Sequence, residues 1–154
     1  MVNADLPKGL AEDEAERVLA LGKRVVLTTG AELFHLGDQA DCIYLVARGR
    51  IRLTLPMQVR SRDEDVMVEE RSSGQTVGWS ALIPPYRFTL TATAPLETEV
   101  IALPREALNQ YFAAHPETGY AVSLNLSSVI GQRLQLFQAM WLREVQRMVE
   151  LRCA

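Results

Sequence analysis

The run Gly30-Ala-Glu-Leu-Phe-His-Leu-Gly37-Asp38-Gln-Ala-Asp41-Cys-Ile-Tyr44-Leu-Val-Ala-Arg-Gly49-Arg-Ile-Arg-Leu53 decides how this chain folds. Glycines at 30, 37 and 49 punctuate short stretches in which apolar residues alternate with polar ones. That pattern predicts a strand, a turn, a strand, a tight reversal and another strand. Outward from it, from Val25 to Ala102, the same texture continues. The expected strands are Arg24–Thr28, Glu32–Leu36, Ile43–Arg48, Arg50–Met57, Val66–Arg71, a short Thr76–Gly78, Phe88–Ala94 and Glu97–Ala102. Strands this short, with Gly, Pro and Asp between them, predict a mainly β fold, an antiparallel jelly roll of the double-stranded β-helix kind spanning 24–103. Arg60-Ser-Arg-Asp-Glu-Asp, between Val59 and Val66, reads as a solvated, charged hairpin loop.

Helical patterns flank the roll. Residues 11–21 place apolar side chains at 11, 15, 18 and 19, with Glu12, Asp13 and Glu14 in the first turn and Gly22 as a stop. Negative charge in a first turn suits the positive end of the helix dipole. After Leu103, residues 104–151 are expected to be helical. Pro104 opens Arg105–His115, and Pro116 ends it. From Glu117 to about Leu151 there is no proline and one internal glycine, Gly131. At 1.5 Å per residue, roughly 35 residues make a rod of about 50 Å, longer than a roll of this size is wide. Ile130, Leu134, Phe137, Trp141, Val145 and Met148 follow a 4-3-4-4-3 spacing, the seam of a helix that pairs with a partner. The chain is therefore expected to form a homodimer through this helix.

The gross numbers bound the function class. A chain of 154 residues reads as one domain, 1–154, with a core that needs no staples. A hydrophobic fraction of 48% with no apolar run near 18 residues indicates a soluble protein with no membrane span. The net charge of -3 argues against a surface dominated by nucleic acid. Cys42 and Cys153 do not make a disulfide framework and read as free thiols of a reducing, cytoplasmic compartment. His35 and His115 stand apart from any cluster at metal-ligand spacing. No nucleophile–base pair, Walker loop or paired carboxylates stand out, so no enzyme and no metal is expected.

The glycine-punctuated run, together with Gly74-Gln-Thr-Val-Gly78-Trp79-Ser80-Ala81-Leu82, resembles the cyclic nucleotide-binding domain. This is the ligand-sensing β-roll of the catabolite activator and protein kinase A regulatory families, and the likeness covers nearly the whole chain. The resemblance implies a bacterial, cytoplasmic, regulatory module that binds cyclic AMP, cyclic GMP or a related small anion, with no other cofactor. Its signal would leave through the C-terminal dimer helix to an unidentified downstream protein. In bacterial relatives that helix leads into a DNA-reading domain. Here only Arg-Cys-Ala follows Leu151, and Arg143, Arg147 and Arg152 read as a solvated face, so direct nucleic-acid binding is not expected.

The family's phosphate-binding cassette runs Gly-Glu-Leu-Ala-Leu, a loop, then Arg-Ser/Ala-Ala-Thr. Free N–H groups at a helix start and the arginine hold the phosphate; the glutamate accepts from the ribose 2′-hydroxyl. Gly78 matches the glycine, and Ala81 and Leu82 match the Ala-Leu pair. Trp79 stands where the glutamate belongs. Losing a buried acceptor costs roughly 1–3 kcal/mol. An ungapped match puts Phe88 in the arginine's place, whereas a one-residue gap would put Arg87 there. Strand parity favours Phe88, because Phe88, Leu90, Ala92 and Ala94 form the apolar face, opposite Arg87, Thr89, Thr91 and Thr93. Ser80, Thr89 and Thr91, with the backbone amides of Ser80 to Leu82, remain phosphate donors in waiting. The alternative is a roll that has lost nucleotide binding, plugged by Trp79 and Phe88, and serves as a dimeric interaction scaffold.

Overall fold

The computed structural model describes residues 3–154. Its elements run α1 (Glu12–Leu19), β1 (Lys23–Leu27), β2 (Glu32–Phe34), β3 (Cys42–Arg48), β4 (Arg50–Val59), β5 (Arg62–Ser72) and β6 (Thr76–Val77). A single 3-10 turn (Trp79–Ala81), β7 (Thr91–Thr93), β8 (Thr98–Pro104), α2 (Arg105–Ala114) and α3 (Pro116–Cys153) complete the chain. The eight strands make two four-stranded antiparallel sheets, ordered β1-β8-β3-β6 and β2-β7-β4-β5. Successive strands cross repeatedly from one sheet to the other, which is the jelly roll that the punctuation predicts.

Each crossing is set by local chemistry. At Gly49, between β3 and β4, the backbone has φ +93°, and a β-carbon would lie 2.5 Å from the Thr98 hydroxyl. Only glycine fits there, and it lets the chain leave one sheet for the other. Thr98 then bridges the corner: its hydroxyl accepts from the Arg50 amide at 3.2 Å. Ile43, Leu45, Ile51, Leu53, Val77, Val100 and Leu103 point between the sheets and are fully buried.

Two expectations about strands need correction. Most of the charged stretch between Val59 and Val66, from Arg62 on, is strand, and the loop shrinks to Arg60 and Ser61. β4 and β5 pair in register from Arg50↔Ser72 to Val59↔Arg62. They reverse over Arg60 and Ser61, both at positive φ (51° and 66°), as a two-residue type I′ turn requires. Charged residues continue the ladder because this outer half of the hairpin is exposed on both faces. Conversely, the expected strand Phe88–Ala94 pairs as a ladder only over Thr91–Thr93. Phe88 is held by a loop, its amide donating to Asp38 O at 3.0 Å and its carbonyl accepting from the Gly37 amide at 2.9 Å. The parity reading survives: Phe88, Leu90, Ala92 and Ala94 are all buried.

The helices close one side of the roll. Pro116 does not merely end α2; it stands at the first position of α3, where its missing N–H is no loss. The 38 residues of α3 correspond to a rod of about 57 Å. Its first half buries Thr118, Val122, Leu126, Val129 and Arg133; beyond Arg133 no residue of the helix is buried. The N-terminal segment, for which the sequence suggests no role, is clamped too. The Asn125 amide donates to the carbonyls of Leu6 and Lys8 at 2.7 and 2.8 Å.

Candidate functional site

The cassette lies where Gly78 turns the chain into the 3-10 turn. Gly78 has φ +82°, and a β-carbon there would sit 3.1 Å from the Phe88 ring and 3.4 Å from the rings of Phe34 and Tyr44. Three aromatic rings therefore crowd the backbone that should approach a phosphate. Phe34 and Phe88 stack with centroids 3.7 Å apart and planes 9° from parallel, and Tyr44 lies 5.9 Å from Phe34. Burial pushes the Tyr44 phenol up to about 12, with Cys42 and Asp41 adding to the shift. The gap left among Phe34, Phe88, Trp79 and Ser80 has a volume of about 10 Å³. That gap holds about one water, and it shares Trp79, Thr89, Leu90 and Arg133 with a larger space beside it.

The other expected donors are accounted for one by one. Arg87 is exposed and donates through Nη1 to Gly37 O at 3.0 Å. Thr91 is buried, and its hydroxyl accepts from the Leu36 amide at 3.0 Å. Ser80 is buried at the edge of the small gap, and Thr89 is exposed beside it. The amides of Ala81 and Leu82 do not wait for an anion. They donate to the carbonyls of Gly78 and Trp79, both at 3.1 Å, because a 3-10 turn this short closes its own donors. Trp79 is partly buried against the core and forms one wall of a second, larger space.

That space is an apolar groove of about 320 Å³ between the cassette turn and α3. Leu55, Leu90, Ile130, Leu134, Phe137 and the Trp79 indole line it, with Arg133 on its wall. Of the expected seam residues, Ile130 packs against the core, while Leu134 and Trp141 are 57% and 66% exposed. Met148 is exposed as well, and Phe137 and Val145 are half-buried.

Two arginines that sequence reasoning missed organise the site. Arg105, the first residue of α2, donates through Nη1 to the carbonyls of Ala40 at 2.7 Å and Ala81 at 3.1 Å. Its guanidinium also lies 4.0 Å over the Tyr86 ring. The cassette turn is thus tied directly to the helices. Arg133 donates through Nε to Glu69 Oε2 at 2.6 Å, and Glu69 Oε1 accepts from Arg71 at 2.8 Å. Arg71 continues to Asp5 at 3.0 Å and to the Thr76 carbonyl at 3.1 Å, and Asp5 also accepts from the Thr76 amide at 2.9 Å and from its hydroxyl. Burial lowers the Arg133 pKa, Glu69 raises it back, and the neighbouring Arg71 charge lowers it again. Arg133 had one signal in the sequence: it falls in register with the buried stripe 118-122-126-129 of α3.

Cys42 and Cys153 are free thiols. Among the described residues, no helix is long and apolar enough to cross a membrane. None of their His, Cys, Asp and Glu side chains form a group of three or more that could hold a metal.

The comparisons agree with this fold. The description "Cyclic nucleotide-binding domain" matches residues 24–115. A lysophospholipase nte1 of Neurospora crassa is 30% identical over 114 residues, 73% of this chain but 7% of that protein. The cyclic AMP receptor protein of Thermus thermophilus is 27% identical over 135 residues, 88% of this chain and 59% of that one. The crystal structure of Thermus thermophilus catabolite activator protein superposes with TM-score 0.74 at 26% identity, covering 96% of this chain and 62% of its own. The regulatory domain of Toxoplasma gondii PKA, co-crystallised with cAMP, shares the fold with TM-score 0.57 at 20% identity, over 69% of this chain and 39% of that one. The chain thus spans under two thirds of each of these proteins, and a small fraction of the fungal ones. With the roll, the cassette turn and the helices in place, the chain belongs to the cyclic nucleotide-binding domain family.

Proposed function

We propose that residues 1–154 act as one ligand-sensing regulatory unit in a bacterial cytoplasm, a homodimer joined through α3, whose nucleotide subsite is closed. The observation that carries this is the Phe34–Phe88 stack over Gly78, which leaves room for about one water. Cyclic AMP and cyclic GMP, the ligands the resemblance implies, would meet no acceptor for the 2′-hydroxyl at Trp79 and no arginine at Phe88. Burying a hydroxyl without an acceptor is costly.

Sensing is supported by linkage. Arg105 couples the cassette turn to α2, and α2 packs on α3. Arg133 couples α3 to β5 through Glu69. A ligand that favours one position of α3 over another shifts that equilibrium by its differential affinity. The distal half of α3 carries Trp141, Leu142, Met148, Val149 and Leu151 exposed, the kind of apolar surface that marks an interaction site. A second α3 along the Leu134–Phe137–Trp141 seam would cover it and carry the signal on to a downstream protein. The scaffold reading, a roll that senses nothing, has the closed subsite in its favour; the open apolar groove beside it favours sensing.

Equilibrium dialysis with labelled cyclic AMP and cyclic GMP, together with sedimentation equilibrium, tests the proposal. It expects no retained nucleotide at roughly millimolar ligand and a dimer that Trp141→Asp converts to monomer. Micromolar nucleotide binding, or a monomer at about 100 μM protein, would overturn it.

A further inference from the structure

We infer that the distal half of α3 carries a second helix-binding face beside its pairing seam, and that the occupant is a second dimer of this chain, so that four distal halves close into a four-helix bundle. The inference rests on the α3 pairing proposed above and adds a further partner to it.

The heptad register sets how many helices this segment needs. Leu134, Trp141 and Met148 stand seven residues apart, and Gln138 and Val145 fall between them at the alternating 4-3 spacing. These are the d and a positions of one register. In a two-stranded coil the flanking e and g positions are commonly charged. Here position e holds Leu142 and Val149, and position g holds Phe137 and Leu151; Gln135 and Glu144 are the polar exceptions. A strict a/d stripe serves a single partner, whereas apolar flanks added to it mark a helix inside a bundle. The proximal half lacks such flanks. Its e and g positions are Ala121, Ser123, Ser128 and Ile130, and Ile130 packs on the roll's own core.

Burial shows that the distal flanks are unpartnered. Leu142 is 61% and Leu151 71% exposed, and Val149 is exposed as well. At 100° per residue the apolar arc from Leu151 through Trp141 to Leu142 spans about 180°, against roughly 100° for a helix that packs on one layer. One partner helix on the seam therefore leaves a flank of each chain wet.

Charge and reach say what covers it. Glu144 and Arg152 are the only charges at a, d, e or g positions from Leu134 to Arg152. Such a face attracts no strongly charged partner and has no basic fringe for an anionic bilayer. An apolar face with so little charge suits a copy of itself across a two-fold axis. Arg133 is the last buried residue of α3, and residues 134–153 run on from it for about 30 Å. Two dimers meeting tail to tail overlap over that length with two rolls at each end. Side by side, four rolls would crowd one end. The antiparallel arrangement, with the symmetry common in tetramers, is the one this shape admits.

The test is sedimentation velocity on the full chain from about 5 to 200 μM, a range chosen because dimer–dimer association follows mass action. The native chain is expected to pass from two subunits to four. Leu142→Gln combined with Val149→Gln should remain at two subunits throughout, since both flanks lie outside the pairing seam. Trp141→Asp, on the seam itself, should remain at one. Raising sodium chloride from about 0.1 to 1 M should not weaken the four-subunit form, because screened surface charges take no part in it. A native chain that stays a dimer at about 200 μM overturns the inference and leaves the dimer reading standing, whether the flanks then meet another protein or a bilayer. A native chain that stays a monomer overturns both. A flank variant that still forms tetramers, or that falls to monomers, overturns the placement of the second face.

Discussion

The rings of Phe34 and Phe88 lie face to face, 3.7 Å between centroids, over Gly78, which matches the glycine of the family's cassette. Phe34 comes from β2 and Phe88 from the loop before β7, so the stack ties β2 to the far end of the cassette. It replaces an ion pair with dispersion and apolar burial, interactions that need no ligand to be complete. A roll packed this way does not need a ligand to complete its core.

Gly78 is expected to tolerate no side chain. Gly78→Ala places a methyl 3.1 Å from the Phe88 ring at φ +82°, and left-handed backbone costs an L-residue about 1–2 kcal/mol before any clash. Urea unfolding should show a loss of about 2 kcal/mol or more. An unchanged midpoint would mean that the aromatic cage is looser than described.

Arg105 should be the joint between cassette and helices. Arg105→Ala removes donors to Ala40 and Ala81 and the stack on Tyr86. A hydrogen bond from a charged donor contributes about 1.5–3 kcal/mol; with the Arg105 side chain 21% exposed, a total near 2 kcal/mol is expected. Hydrogen exchange should speed up at the amides of Ala81 to Ile83 while the sheet core stays protected. Uniform acceleration across all strands would deny it the role of a local joint.

Acid should loosen the helical layer through Glu14. Its carboxylate accepts from the Tyr111 hydroxyl at 2.6 Å and from Thr118 at 2.8 Å, and pairs with Arg17 at 2.9 Å. These bonds, Tyr111 first, hold its pKa below the ordinary 4.5. A carboxyl depressed in the folded state contributes stability that is present above about pH 4.5 and lost as pH falls through the lowered folded value. Unfolding midpoints measured from pH 6 down to pH 3 should fall more steeply for the native chain than for Glu14→Gln. Parallel curves would contradict the assignment.

Much of the fold was legible because glycine and alternation act locally. Gly49 must reverse the chain whatever surrounds it, and Ile43, Leu45, Ile51 and Leu53 must face inward once it does. The hairpin tip was misread because charge was taken as a sign of loop. On a ribbon wet on both faces, Arg62 to Asp65 lose nothing by extending the ladder. Strand parity correctly turned Phe88 inward and Arg87 outward, although a loop and not a ladder holds them. The cassette's departures at Trp79 and Phe88, and the plug they could form, were legible as residue types; the part played by Phe34, some 50 residues away in sequence, was not. Arg133 and Arg105 escaped notice for a different reason. A single arginine on a helix normally points to water, and only the tertiary partners Glu69, Ala40 and Ala81 reveal otherwise.

The most direct test of closure is a pair of calorimetric titrations with cyclic AMP, one on the native chain and one on the double variant Trp79→Glu with Phe88→Arg. The account predicts no heat from the native chain at roughly millimolar nucleotide and measurable binding by the variant, in which acceptor and cation return to an intact frame. Tight binding by the native chain, with no gain in the variant, would contradict it.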